Sequence, residues 1–142
     1  MKKNLFIITG IFVITMAILA FIYFNYQKSL ILAQNANREY EYYTTNNISG
    51  SELMTLINKV SDKNQKNGLE KDKNNRYIQN DTNSIKIEIK FLESNKTFEM
   101  ESISNLGSES FVKNYNKLEF KCTKTEYHEK TKNIKYMLFE QI

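Results

Sequence analysis

His128 and Cys122 are the only histidine and the only thiol in the chain, so a Cys–His nucleophile–base pair would have to be made of these two. On one strand they stand six residues apart, which is ~20 Å at ~3.3 Å per residue and too far for proton transfer. Cys122 has the parity of Leu118 and Phe120 and is expected to act as a small core residue. His128 lies beside an expected hairpin turn and is expected to be exposed. Glu99 and Glu101 share one face of an expected strand, the arrangement of a glycosidase pair. Charges on the wet face of a hairpin account for them better. Asp72, Asn74 and Arg76 begin the alternating ligand spacing of a calcium loop, but an arginine at the third position breaks it. One His and one Cys do not make a zinc site. There is no phosphate-binding glycine loop and no serine elbow. No residue is therefore assigned a catalytic, cofactor-binding or metal-ligating role, and no enzymatic activity is expected.

The elements that carry these residues begin with an apolar run at residues 5–26, free of charge and of proline, behind Met1-Lys2-Lys3-Asn4. At ~1.5 Å per residue such a helix crosses the ~30 Å hydrocarbon layer once. Its length and its bulky end, Phe21-Ile22-Tyr23-Phe24-Asn25-Tyr26, speak against a cleaved secretory signal. Tyr23 and Tyr26 fall where an aromatic belt would sit. Lys2 and Lys3 precede the run, whereas Lys28 and Arg38 follow it more sparsely. That bias puts residues 1–4 in the cytoplasm and the C-terminal part outside it. The expected organisation is thus a transmembrane helix at 5–26, a helical extension at 27–45 and an extracytoplasmic α+β domain at 46–142, with the lipid bilayer as the first partner.

The formal charge of +4 overstates the basicity of that outer part, because Lys2 and Lys3 belong to the anchor and leave 18 basic against 16 acidic residues. A surface so nearly balanced is no nucleic-acid footprint. The single cysteine excludes an intramolecular disulfide. The abundance of Lys, Asn and Ile resembles an AT-rich bacterial coding sequence. The glycosylation acceptor patterns at Asn47, Asn80 and Asn95 are what so many asparagines produce by chance.

Within the outer part, Leu32, Ala36, Tyr40 and Tyr43 recur at helical spacing along the extension and are expected to form its packing edge. Ser49-Gly50-Ser51-Glu52 reads as a capping box. The helix behind it carries Leu53, Leu56, Ile57 and Val60 as one apolar stripe. Residues 59–76 are polar and read as a loop. Ile85, Ile87, Ile89 and Phe91 then alternate with Lys86, Glu88 and Lys90 as a half-buried strand. A turn at 93–96 leads to a second strand through Phe98, Met100 and Ser102. A short helix is expected at 106–115, capped by Ser108. Leu118, Phe120 and Cys122 mark one further strand and Ile134, Tyr136 and Leu138 another, joined by a turn at 129–132. A short strand at 76–79 would be the fifth. The sheet is expected to be antiparallel, with four to five strands.

One long apolar N-terminal helix feeding a small sheet resembles the outline of type IV pilins and pseudopilins. Gly10 before Ile11 is similar to the peptidase cut site of that family, although Thr15 stands where the mature chain usually carries a Glu. The stretch at 49–58 resembles a segment of small single-span membrane proteins of clostridial type, a likeness that brings no activity with it. The pilin-like resemblance implies self-association through the N-terminal helix. The broader expectation is an interaction or structural component of a cell-envelope assembly. A small-ligand sensor or an enzyme without a recognisable motif is the competing reading.

Overall fold

The structure is a computed structural model that describes residues 2–93 and 96–142; the side chains of residues 2, 3 and 5 lie outside the description. The expected turn at 93–96 and the acceptor pattern at Asn95 therefore fall partly outside the described residues.

The first helix, α1, spans Lys2–Thr45 without a break. Gly10 is its one glycine and meets nothing within 4 Å. A short strand β1 (Asn47–Ser49) follows, which the sequence does not announce. Its three residues are fixed by pairing with a later strand, opposite Lys121, Phe120 and Glu119.

Helix α2 (Gly50–Lys66) begins with the expected capping box: Ser49 Oγ accepts from Glu52 N, and Ser49 N donates to Glu52 Oε2 at 2.8 Å. Gly50 is required by space, because a Cβ there would meet Tyr115 O at 2.0 Å. The apolar stripe Leu53, Leu56, Ile57 and Val60 is wholly buried. The loop expected from 59 starts only after Lys66. The helix outlasts its apolar stripe because the next core position is polar. Asn64 is buried and clamps the backbone of Ile85, donating to its carbonyl at 2.7 Å and accepting from its N–H at 2.9 Å. Both amide functions are satisfied, which is the condition for burying them.

The strand expected at 76–79 reduces to an isolated bridge between Lys71 and Tyr77. Strands β2 (Lys86–Lys90) and β3 (Thr97–Glu99) form the expected antiparallel hairpin. Met100 and Ser102 do not continue β3: helix α3 (Met100–Leu106) starts there. It is followed by α4 (Ser108–Tyr115), so the single helix expected at 106–115 is two. Gly107, at φ 87°, ends one and starts the other. This left-handed conformation is open to glycine at little cost. Ser108 is the first residue of α4 and not its cap.

Strands β4 (Glu119–Tyr127) and β5 (Ile134–Gln141) form the second expected hairpin. The sheet order is β1-β4-β5-β2-β3, and three of the four pairings are antiparallel. The fourth, β2 with β5, is parallel, with Ile87 opposite Met137 and Ile89 opposite Phe139. Each hairpin dictates only its internal direction. Which strand of one meets which strand of the other is decided when the long connection through α3 and α4 brings them together. The molecule is therefore α+β with a mixed five-stranded sheet. Its core is built by Leu53, Leu56, Ile57, Ile87, Ile89, Phe111, Phe120, Met137 and Phe139, all at most 1% exposed.

On the wetter face Glu88 and Glu99 stand directly opposite each other. Like charges across a pair are unfavourable. Lys86 resolves the conflict, with its Nζ 2.7 Å from Glu88 and 2.9 Å from Glu99. Burial pulls the Lys86 ammonium pKa down, but hydrogen bonds to the two carboxylates overcome this and leave it raised. Burial likewise pushes Glu88 up, yet bonds from Lys86 and Tyr136 leave it below the usual carboxylate range.

Candidate functional site

The most distinctive surface of the molecule is the first half of α1. From Phe6 to Tyr26 none of its large apolar side chains is covered: Phe6 is 78% exposed, Phe21 71% and Phe24 70%. Leaving so many large side chains in water is a cost that soluble folds avoid. This is one helix, near the N-terminus, long and apolar enough to cross a membrane. Its few polar side chains bond back to their own helix. Thr15 Oγ1 donates to Ile11 O at 2.8 Å, and Asn25 Nδ2 to Phe21 O at 2.8 Å. Thr9 Oγ1 donates to Phe6 O at 3.3 Å. Self-satisfaction of this kind is what a hydrocarbon environment demands.

The second half of α1 is built differently. Ala33 and Tyr40 are buried, and Gln27, Leu30, Ala36, Asn37 and Tyr43 are half-buried along the same side. The packing edge thus runs through Ala33, Asn37 and Tyr40. Leu32, expected on it, is 60% exposed. The difference is one helical position: Asn37 is polar, and apolar periodicity passes over it.

Asn37 is the staple of this seam. Its Nδ2 donates to Lys132 O at 2.9 Å, and its Oδ1 accepts from Ile134 N at 2.8 Å. Glu39 pairs with Lys59 at 3.5 Å and Lys63 at 3.7 Å, and Tyr42 Oη donates to Glu52 at 2.7 Å. The ion pairs are partly exposed and worth little each. A cavity of about 210 Å³ opens at the seam, lined by Asn37, Tyr40, Lys63, Asn67, Ile85 and Ile134 among others. The Tyr40 hydroxyl is buried without a hydrogen bond of acceptable geometry. Burial first, and the neighbouring Glu39 carboxylate second, push its pKa up.

The residues singled out for chemistry end up apart. His128 is not exposed as expected but 1% accessible, its Nε2 2.7 Å from Ser84 O. The loop at 80–84 folds under the β4–β5 turn and encloses it. Cys122 is half-buried against the core, beside a register shift in β4, with Sγ 3.4 Å from Thr125 Oγ1. Glu99 and Glu101 do not share a strand face. Glu99 ends β3, whereas Glu101 is buried in α3 and accepts from Tyr77 N at 3.2 Å. Asp72 accepts from the N–H of Asn74 and of Arg76 and pairs with the Arg76 guanidinium at 3.0 Å. Its oxygens are committed to a turn in which Asn75 takes φ 62°. Among the described residues no group of three or more His, Cys, Asp or Glu is placed to hold a metal ion.

At the far end of the sheet an apolar groove of about 520 Å³ runs between Phe91, Phe98, Ile103, Leu106, Tyr115 and Leu118. The backbone-clamping residues that sequence reading misses are Asn37 and Asn64. Their signal is phase alone: each is an asparagine on the buried side of an apolar helical stripe. Comparison of this chain with family models, curated proteins and solved structures finds no match.

Proposed function

We propose that the chain is a single-pass membrane protein that serves as an interaction or structural component of a cell-envelope assembly. Residues 5–26 cross the bilayer, residues 1–4 lie in the cytoplasm, and 27–45 hold the domain at 46–142 on the outer side. The observation that carries this reading is the bare half of α1, whose polar side chains bond to their own backbone. Orientation rests on Lys2 and Lys3 ahead of the run. The sharper form is a pilin- or pseudopilin-like subunit. A single helix that is bare in its first half and packed on a sheet domain in its second favours it.

Two measurements test the reading. Alkaline extraction of native membranes with protease protection is expected to leave the chain in the membrane and 46–142 accessible from outside; release into the soluble fraction defeats the anchor. Crosslinking through cysteines placed in residues 6–24, with the intact mass, tests the sharper form. Helix-to-helix dimers and a chain starting at Ile11 support a processed subunit. Monomers starting at Met1 remove it.

A further inference from the structure

We propose that the β4–β5 turn, together with Lys28, is a second membrane contact that binds anionic phospholipid headgroups. This rests on the anchoring proposed above. The cover on α1 reaches far down towards the apolar half: Tyr40 and Ala33 are buried, and Leu30 and Gln27 are half-buried. Leu30 is four residues beyond Tyr26, about 6 Å along the axis. The headgroup layer on each side of the hydrocarbon is about 5–7 Å deep. The lower end of the half-buried stretch of α1 therefore stands at headgroup level.

The turn is held to α1 at Asn37, about 10 Å along the axis beyond Leu30, and its lysine side chains reach back from there towards the headgroups. Asn37 accepts from Ile134 N and donates to Lys132 O, and Thr131 Oγ1 donates to Thr82 O at 2.6 Å. β4 starts beside β1, just past the end of α1, and runs from there towards Tyr127, so its far end points back along α1 to the bilayer. The turn then presents Lys130 and Lys132, both exposed, and Lys28 is exposed on the helix below. None of the three has a carboxylate within ion-pair distance among the described residues. The opposing charges nearby are Glu129 on the turn itself and Asp81 and Glu126 across a shallow cleft that also holds Lys135. Lys132 takes φ 59°, a conformation that a glycine or asparagine would adopt more easily. Unpaired lysines next to a negatively charged surface are drawn to it over a Debye length.

The test uses the full chain in vesicles, with Cys122→Ser and Glu129→Cys carrying a nitroxide. In vesicles containing phosphatidylglycerol the label is expected to be several-fold less accessible to a water-soluble relaxation agent than in phosphatidylcholine alone. Raised salt, and the pair Lys28→Glu and Lys130→Glu, are expected to abolish the difference, with unchanged circular dichroism showing that the domain stays folded. Equal, full accessibility in both vesicles, in a chain that floats with them, overturns the second contact and leaves the anchor standing. A chain that does not float with the vesicles overturns the anchor and this inference together.

Discussion

The two halves of α1 are one continuous helix with opposite solutions to the same problem. The first half meets its surroundings with side chains that nothing in the protein covers, and its polar groups turn inward to its own carbonyls. In the second half, polar groups on the covered side go to the domain: Asn37 serves the backbone of Lys132 and Ile134, and Glu39 and Tyr42 serve side chains of α2. A helix therefore does not need one environment along its length. What divides it is whether one side is covered, and the division falls near Tyr26.

The comparison is broken most severely from the domain side. Phe120→Ala empties a fully buried position opposite Ile48 and should cost about 3–5 kcal/mol. Thermal or denaturant unfolding of the domain should show the loss, while membrane fractionation stays unchanged. The reverse dissociation comes from Leu19→Arg in the bare half. A cation near the middle of a spanning helix costs about 2.5–3.5 kcal/mol on insertion scales. The chain should shift to the soluble fraction, with domain unfolding unaltered. A domain melted by this change would mean that the two halves are not independent.

Asn37→Ala sharpens the boundary between them. It removes the acceptor of the Ile134 N–H on a residue only 3% exposed, a loss of about 1–3 kcal/mol. Hydrogen exchange should accelerate at Ile134 and in the β4–β5 turn, while the core amides of β2 stay protected.

The smallest effect is that of pH, and it should touch one half only. Glu52 is held below the usual carboxylate range, first by the backbone N–H of Ser49 and then by Tyr42, and Glu88 is lowered as described. A depressed carboxylate stabilises the fold above its ordinary pKa, and the contribution fades as pH falls through that range towards the lowered value. Domain stability should thus decline on acidification from neutral pH. Membrane partition of residues 6–26 should not respond, since no carboxylate lies there.

Much of this was legible in the residues, and the gaps have physical causes. The capping box at Ser49 and Glu52, the stripe from Leu53 to Val60 and the two hairpins follow from local rules, spacing and turn chemistry, and all are present. Helix α2 outran its expected end because Asn64 is a buried clamp that apolar counting reads as surface. Met100 reads as a strand residue because alternation survives one step into α3. His128 looked exposed because only the distant loop at 80–84 buries it.

What the sequence determined by itself is a charge-free apolar run long enough to span a bilayer, the amphipathic helix α2, and strands whose alternation demands a single buried face. These depend on the spacing of residues along the chain, which no fold can alter. Only the tertiary structure decided that β5 lies parallel to β2, that Ala33 and Asn37 rather than Leu32 carry the seam, and that Glu99 and Glu101 part company. Each of these depends on which distant backbone group comes within hydrogen-bonding reach, and that is settled only when the elements pack.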